Sequence, residues 1–157
     1  MVIRLQEHRS GENLAWGKYR PVQTVRLPFE KKTSEYDTGF NLPDKCIVHD
    51  VEVEVVTNVA ASTIDVGTLS SGTNGDADGL IDGASCATAG FPTLVASGAV
   101  KYGVFMIATD QSGSQMRTHK SLPTADEKSI TYTTSDHDVT GYIYVTFTDL
   151  TDMESDP

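Results

Sequence analysis

The chain has 157 residues, 38% of them hydrophobic and 22% charged, and a net charge of −10. That is enough chain for one domain with its own core, and the acidic balance argues against nucleic acid as a partner, because neutralising phosphates takes clustered Lys and Arg. The charge is uneven: residues 1–32 carry seven basic and three acidic side chains, net +4, while the remaining 125 carry five and nineteen, net −14.

Residues 1–21 show neither helical nor strand periodicity, and Pro21 punctuates their end. Yet they hold Leu14, Tyr19 and the only tryptophan, Trp16, together with Arg4, Arg9, Lys18 and Arg20. A disordered tail rarely carries a Trp. Either Trp16 folds back onto its own domain, or the segment is an arm whose indole docks on a neighbouring subunit or partner, with Arg4, Arg9, Lys18 and Arg20 facing carboxylates. Arg4 and Glu7 interrupt any signal-peptide core, and the longest apolar run, 104–108, is too short for a bilayer. The chain is therefore expected to be soluble and made in a cytoplasm, with no membrane partner.

From Val22 the chain alternates. Val25, Leu27 and Phe29 share one face, and Pro28, lacking a donor N–H, suits an edge strand. A charged, exposed linker, 30–35, leads to a strand-like segment at 36–43. In 46–57, Val51, Val53 and Val55 alternate with Asp50, Glu52 and Glu54, which puts one apolar face on a core and one acidic face toward water. His49, in step with Ile47 and Val51, is expected to be half-buried and hydrogen-bonded. A strand at 64–69 is followed by a Gly/Asp-rich loop, 72–83, and a small-residue stretch, 84–97, in which residues 91–94 suit one helical turn at most. Residues 100–109 are apolar on both faces and read as a central buried strand, with Gly103 marking a bulge or a close backbone approach. Two more strands are expected at 129–134 and 141–148; in the latter Ile143, Val145 and Phe147 point inward, and Tyr142, Tyr144 and Thr146 outward.

About eight strands without an amphipathic helix define an all-β antiparallel sandwich. A jelly roll is favoured over an immunoglobulin-like sandwich. The expected division is an N-terminal arm, 1–21, a sandwich, 22–149, and an acidic tail, 150–157. Cys46 and Cys86 are too few for a disulfide framework and are expected to be free and partly buried.

Catalytic patterns are missing. No His lies in H-E-x-x-H spacing, no cysteines form C-x-x-C, and no G-x-S-x-G elbow occurs. The one metal-like pattern is Asn74-x-Asp76-x-Asp78-Gly79 with Asp82 in the ninth position, but the twelfth, where a calcium loop has a bidentate Glu, is Ser85. A solvated hairpin loop using Gly for positive φ is the favoured reading, with no metal and no cofactor. Asp136-His137-Asp138 reads as a solvated turn.

The runs Tyr36-Asp37-Thr38-Gly39-Phe40-Asn41-Leu42-Pro43, Asp50-Val51-Glu52-Val53-Glu54-Val55, Ile64-Asp65-Val66-Gly67-Thr68-Leu69 and Asp76-Ala77-Asp78-Gly79-Leu80-Ile81-Asp82-Gly83 resemble structural proteins of tailed bacteriophages, most of all the small decoration or cement proteins of the head surface. The resemblance spans residues 22–148. It implies a jelly-roll body, a homotrimer, an arm that grips the major capsid protein lattice, a place on the outer surface of the virion head, and no catalytic residues. The competing expectation is a receptor- or glycan-binding sandwich of a phage tail or baseplate, with Tyr132, Tyr142 and Tyr144 offered to sugar rings.

Overall fold

The computed structural model describes residues 21–43, 46–71, 75–94, 101–106, 129–135 and 138–150. Eight strands run through them: β1 (Val22–Phe29), β2 (Tyr36–Asn41), β3 (Cys46–Thr57), β4 (Thr63–Thr68), β5 (Ile81–Ser85), β6 (Lys101–Tyr102), β7 (Ser129–Thr134) and β8 (Thr140–Asp149). They form two antiparallel sheets, one in the order β1-β8-β3 and one in the order β2-β7-β4-β5-β6. β1 pairs with β8, β2 with β7 and β4 with β5. Such nested pairs are those of a long hairpin rolled across two sheets, the jelly-roll order. The remaining nested position, beside β3, is filled among the described residues by a single bridge, Val55 to Gly90. The immunoglobulin-like alternative has a different strand order and falls away. The N-terminal segment 1–20 and residues 151–157 lie outside the described residues, and with them Arg4, Arg9, Leu14, Trp16, Lys18, Tyr19 and Arg20; so do Asn74, His119 and His137.

Alternation builds the core as expected. Val51 faces Val145 and Val53 faces Ile143 across β3 and β8, with Leu27 opposite Ile143 on the other flank. Val51, Val53, Ile143 and Val145 are all at most 1% exposed, and burial of each such side chain contributes about 1.5–3 kcal/mol. β1, with Pro28, pairs only with β8 and is an edge among the described residues.

Four expectations change. Of the strand expected over 100–109, the described residues 101–106 keep only Lys101–Tyr102, followed by a 3₁₀ turn at Val104–Met106. Gly103 causes this: it donates its N–H to Leu80 O at 2.9 Å, and a Cβ there would strike the Asp78 carbonyl oxygen and Gly79. The chain turns at that contact, and Phe105 and Met106, 1% and 2% exposed, plug the end of the core. Their apolar character on both faces belongs to a plug, not a central strand. Second, the loop expected to be solvated through residue 83 ends earlier, because Leu80 and Ile81 are fully buried and β5 begins at Ile81. Among its described residues the positive-φ glycine is Gly83, at 74°, where the β4–β5 register shifts and the Gly83 N–H reaches Asp65 Oδ1 at 2.7 Å. Third, residues 91–94 form no helical turn. Fourth, His49 is exposed rather than half-buried. The β3–β8 register shifts between Val48 and Asp50, so His49 is the extra residue of a bulge. Parity reverses there, and Cys46 and Val48 point inward on one side of it, Val51 and Val53 on the other.

Cys46 and Cys86 are free and fully buried, deeper than expected. Burial pushes the Cys86 thiol up to about 12, which keeps it protonated and inert at neutral pH. Among the described residues no helix is long and apolar enough to cross a membrane.

Candidate functional site

The outward face of the β1-β8-β3 sheet follows directly from the alternation that builds the core. Residues opposite Val51, Val53, Ile143 and Val145 in phase must face away from it. Across the sheet, Arg26, Tyr144 and Glu52 lie in one register row, and Pro28, Tyr142 and Glu54 in the next. Cross-strand neighbours on one face interact, and here they do. The Arg26 guanidinium sits 4.6 Å from the Tyr142 ring centroid. Tyr144 donates its hydroxyl to Glu54 Oε2 at 2.6 Å. That hydrogen bond, with smaller contributions from burial and the Glu54 charge, holds the Tyr144 hydroxyl above its ordinary range, while Arg26 opposes it. Thr24 and Thr146 share a hydrogen bond of 2.9 Å one row further.

A second segment leans on this face. The Gly90–Val55 bridge, with both backbone hydrogen bonds at 2.8 Å, delivers Phe91 to within 6.0 Å of the Tyr144 ring, centroid to centroid. Phe91 remains 58% exposed and Val56 54% exposed. Beside them lies a groove of about 200 Å³ between Glu52 and Val53 on one side and Phe91, Pro92 and Leu94 on the other. Tyr102 closes one end and donates its hydroxyl to Asp50 Oδ1 at 3.0 Å. The groove and Phe91 carried no signal in the sequence, since the lining comes from segments roughly forty residues apart.

Tyr142 and Tyr144 are outward, as expected, but Tyr132 is not: it is 1% exposed and packs between Phe29 and Tyr36. The expectation that it meets a ligand is withdrawn. His49 is joined to Thr148 Oγ1 at 2.7 Å, and Ser129 donates to Asp37.

In the described part of the Gly/Asp loop, 75–83, the carboxylates meet backbone and one another. Asp76 Oδ1 accepts the Asp78 N–H at 3.4 Å, and its backbone oxygen accepts from Thr68 and Gly79. Asp82 lies in β5 beside Asp65. No group of three or more His, Cys, Asp or Glu disposed to hold a metal ion occurs among the described residues. Instead the acids crowd one another. Asp65 is pushed up by burial, against the Gly83 N–H, and further by Asp78 and Asp82. The shared hydrogen bond with Asp76, then burial, then the Asp76 charge, raise Asp78 to about 6. A carboxyl whose folded pKa exceeds its ordinary 3.8 adds stability in full at and below that pH and loses it as pH rises through about 6. Hydrogen exchange of the Gly79 amide, corrected for intrinsic rate, is therefore expected to show more protection at pH 5 than at pH 7, with Asp78→Asn flattening the difference. Equal protection at both pH values would refute the shared proton.

No protein-family model matches the chain, and no curated protein matches it. Among solved structures it is similar to a chain of the cyanophage Pam1 capsid asymmetric unit, at 17% identity and a TM-score of 0.48, over 89% of this chain and 95% of that one.

Proposed function

We propose that this chain is a non-enzymatic virion structural protein, a capsid decoration or cement protein that attaches to the outside of an assembled phage head and stiffens it. The observation that carries the reading is the outward face of the β1-β8-β3 sheet: exposed Phe91 and Val56 beside Tyr144, Glu52 and Glu54, on a rigid jelly-roll body. Such a face offers area and charge for contact with another protein. The resemblance of residues 22–148 to phage decoration proteins gives the partner, the major capsid protein lattice, and a homotrimer as the attaching unit.

In this reading the basic segment 1–21 is the second point of attachment. Residues 33–157, of net −14, are repelled by an acidic shell surface, and the segment 1–21, with four basic and two acidic side chains, can approach it. Trp16 is the anchor, supported by Leu14, Tyr19 and the cations Arg4, Arg9, Lys18 and Arg20. An indole buried in a pocket supplies ~2–4 kcal/mol, more than exposed ion pairs do. Trp16→Ala is expected to weaken co-sedimentation with empty heads by about 30-fold or more, Arg20→Ala by less, and neither to change the melting temperature of the body. A chain starting at Val22 that decorates heads with full affinity would remove the arm from this role.

One observation favours a second reading, a glycan-binding face: the ring pair Phe91–Tyr144 beside the Glu52 carboxylate, since sugars stack on such rings. Saturable glycan-array binding, together with failure to sediment with heads, would replace the first reading with this one.

A further inference from the structure

We infer that the groove between β3 and the segment after Gly90 is a receptor for an arginine side chain carried on an extended segment of a partner protein. Arg26 lies over the Tyr142 ring at 4.6 Å, and the Tyr144 hydroxyl beside it is bonded to Glu54. The ring face attracts that guanidinium, and the Tyr144 hydroxyl is its second partner.

Aromatic rings recur a step across the sheet, with no cation seated over them among the described residues. Phe91 and Tyr144 present two rings 6.0 Å apart. Glu52, the register partner of Tyr144, is exposed, and its carboxylate has no hydrogen-bond or ion-pair partner among the described residues. Pro92 and Leu94 give the groove an apolar wall fitted to the methylene stem of a long side chain. Asp50 and Glu54 flank Glu52 on β3, so the field over the groove is negative. A planar guanidinium stacks on a ring and meets a carboxylate at once, which a compact, strongly hydrated ammonium does less well. The occupant is therefore cationic and planar at its tip and apolar along its stem.

This inference deepens the attachment reading and rests on it only for where the partner is met. Its test uses no heads, so the two fail separately. The full-length, isotope-labelled chain is titrated with N-acetyl-arginine amide and, separately, with uncharged N-acetyl-norleucine amide, and resonances of Glu52, Val53, Phe91 and Tyr144 are followed. The expected result is a weak but saturable shift confined to these residues with the arginine probe. Glu52→Gln is expected to reduce affinity about threefold, as for an exposed ion pair, and Phe91→Ala to reduce it comparably; both positions are exposed, so the body stays folded. Absence of a saturable shift overturns the inference. So does an equal response to norleucine amide, which would make the groove a plain apolar contact. Shifts that follow protein concentration without any probe would assign the groove to a second copy of the chain and overturn it as well.

Discussion

Tyr132→Ala is expected to lower the unfolding free energy by about 3–5 kcal/mol, the range for removing a buried aromatic side chain. Tyr132 lies in β7, is 1% exposed, and meets Phe29 of the opposite sheet at 6.1 Å and Tyr36 of its own sheet at 5.4 Å. It thus joins the two layers at the corner where β1 hands the chain to β2. Its hydroxyl accepts the Glu30 N–H at 3.3 Å, so Tyr132→Phe should cost only about 0.5–1 kcal/mol, the value of one modest hydrogen bond. Since a domain has roughly 5–15 kcal/mol in all, urea denaturation should separate the variants clearly. A Phe variant as damaged as the Ala variant would mean that the hydroxyl, not the ring, holds the corner.

Gly141→Ala is expected to be damaging for the opposite reason, excess rather than loss. Gly141, the second residue of β8, lies between Phe29 on one neighbour and Val55 on the other. A Cβ there would fall inside van der Waals contact with the Glu54 carbonyl oxygen and 2.6 Å from Phe29 Cε1. The carbonyl belongs to a strand of the sheet and cannot step aside without the register moving. Overpacking that forces backbone to shift costs about 1–3 kcal/mol, and the backbone clash here puts this substitution at the upper end. A cost below about 1 kcal/mol, measured by the same denaturation, would show that β8 has slack the packing does not suggest.

Much of the fold was legible because period-two patterns report burial directly. Val51, Val53 and Val55 on β3 and Ile143, Val145 and Phe147 on β8 alternate cleanly, and the phase of each was read correctly. The phase of β7 is not legible, because Thr131, Thr133 and Thr134 suit either side of a sheet, and as an interior strand between β2 and β4 it is buried on both faces except at Thr133. β5 was missed because Asp82 and Gly83 signal a loop by composition. It is a strand through pairing with β4 and through Ile81 and Ala84 in the core, a tertiary override of local preference. The bulge at His49 had no signal, since a parity reversal reads as continued alternation when both flanks contain apolar residues. Of the interaction face, Tyr142, Tyr144, Glu52 and Glu54 were placed by their phase. Phe91 was not, for its position depends on one bridge, between Gly90 and Val55, that no local pattern encodes.

The pairing of β1 with β8 sets Val22 opposite Thr148, so the first strand enters the sheet where the last one leaves it. Tension applied between those two points would open the pair from one end, breaking a bond or two at a time as a zipper does. Tension between Val22 and the far end of β8, near Gly141, would load all eight register pairs together in shear. The β1-β8 pair is thus mechanically anisotropic: soft when tugged through its adjacent strand ends, and stiff along its strands.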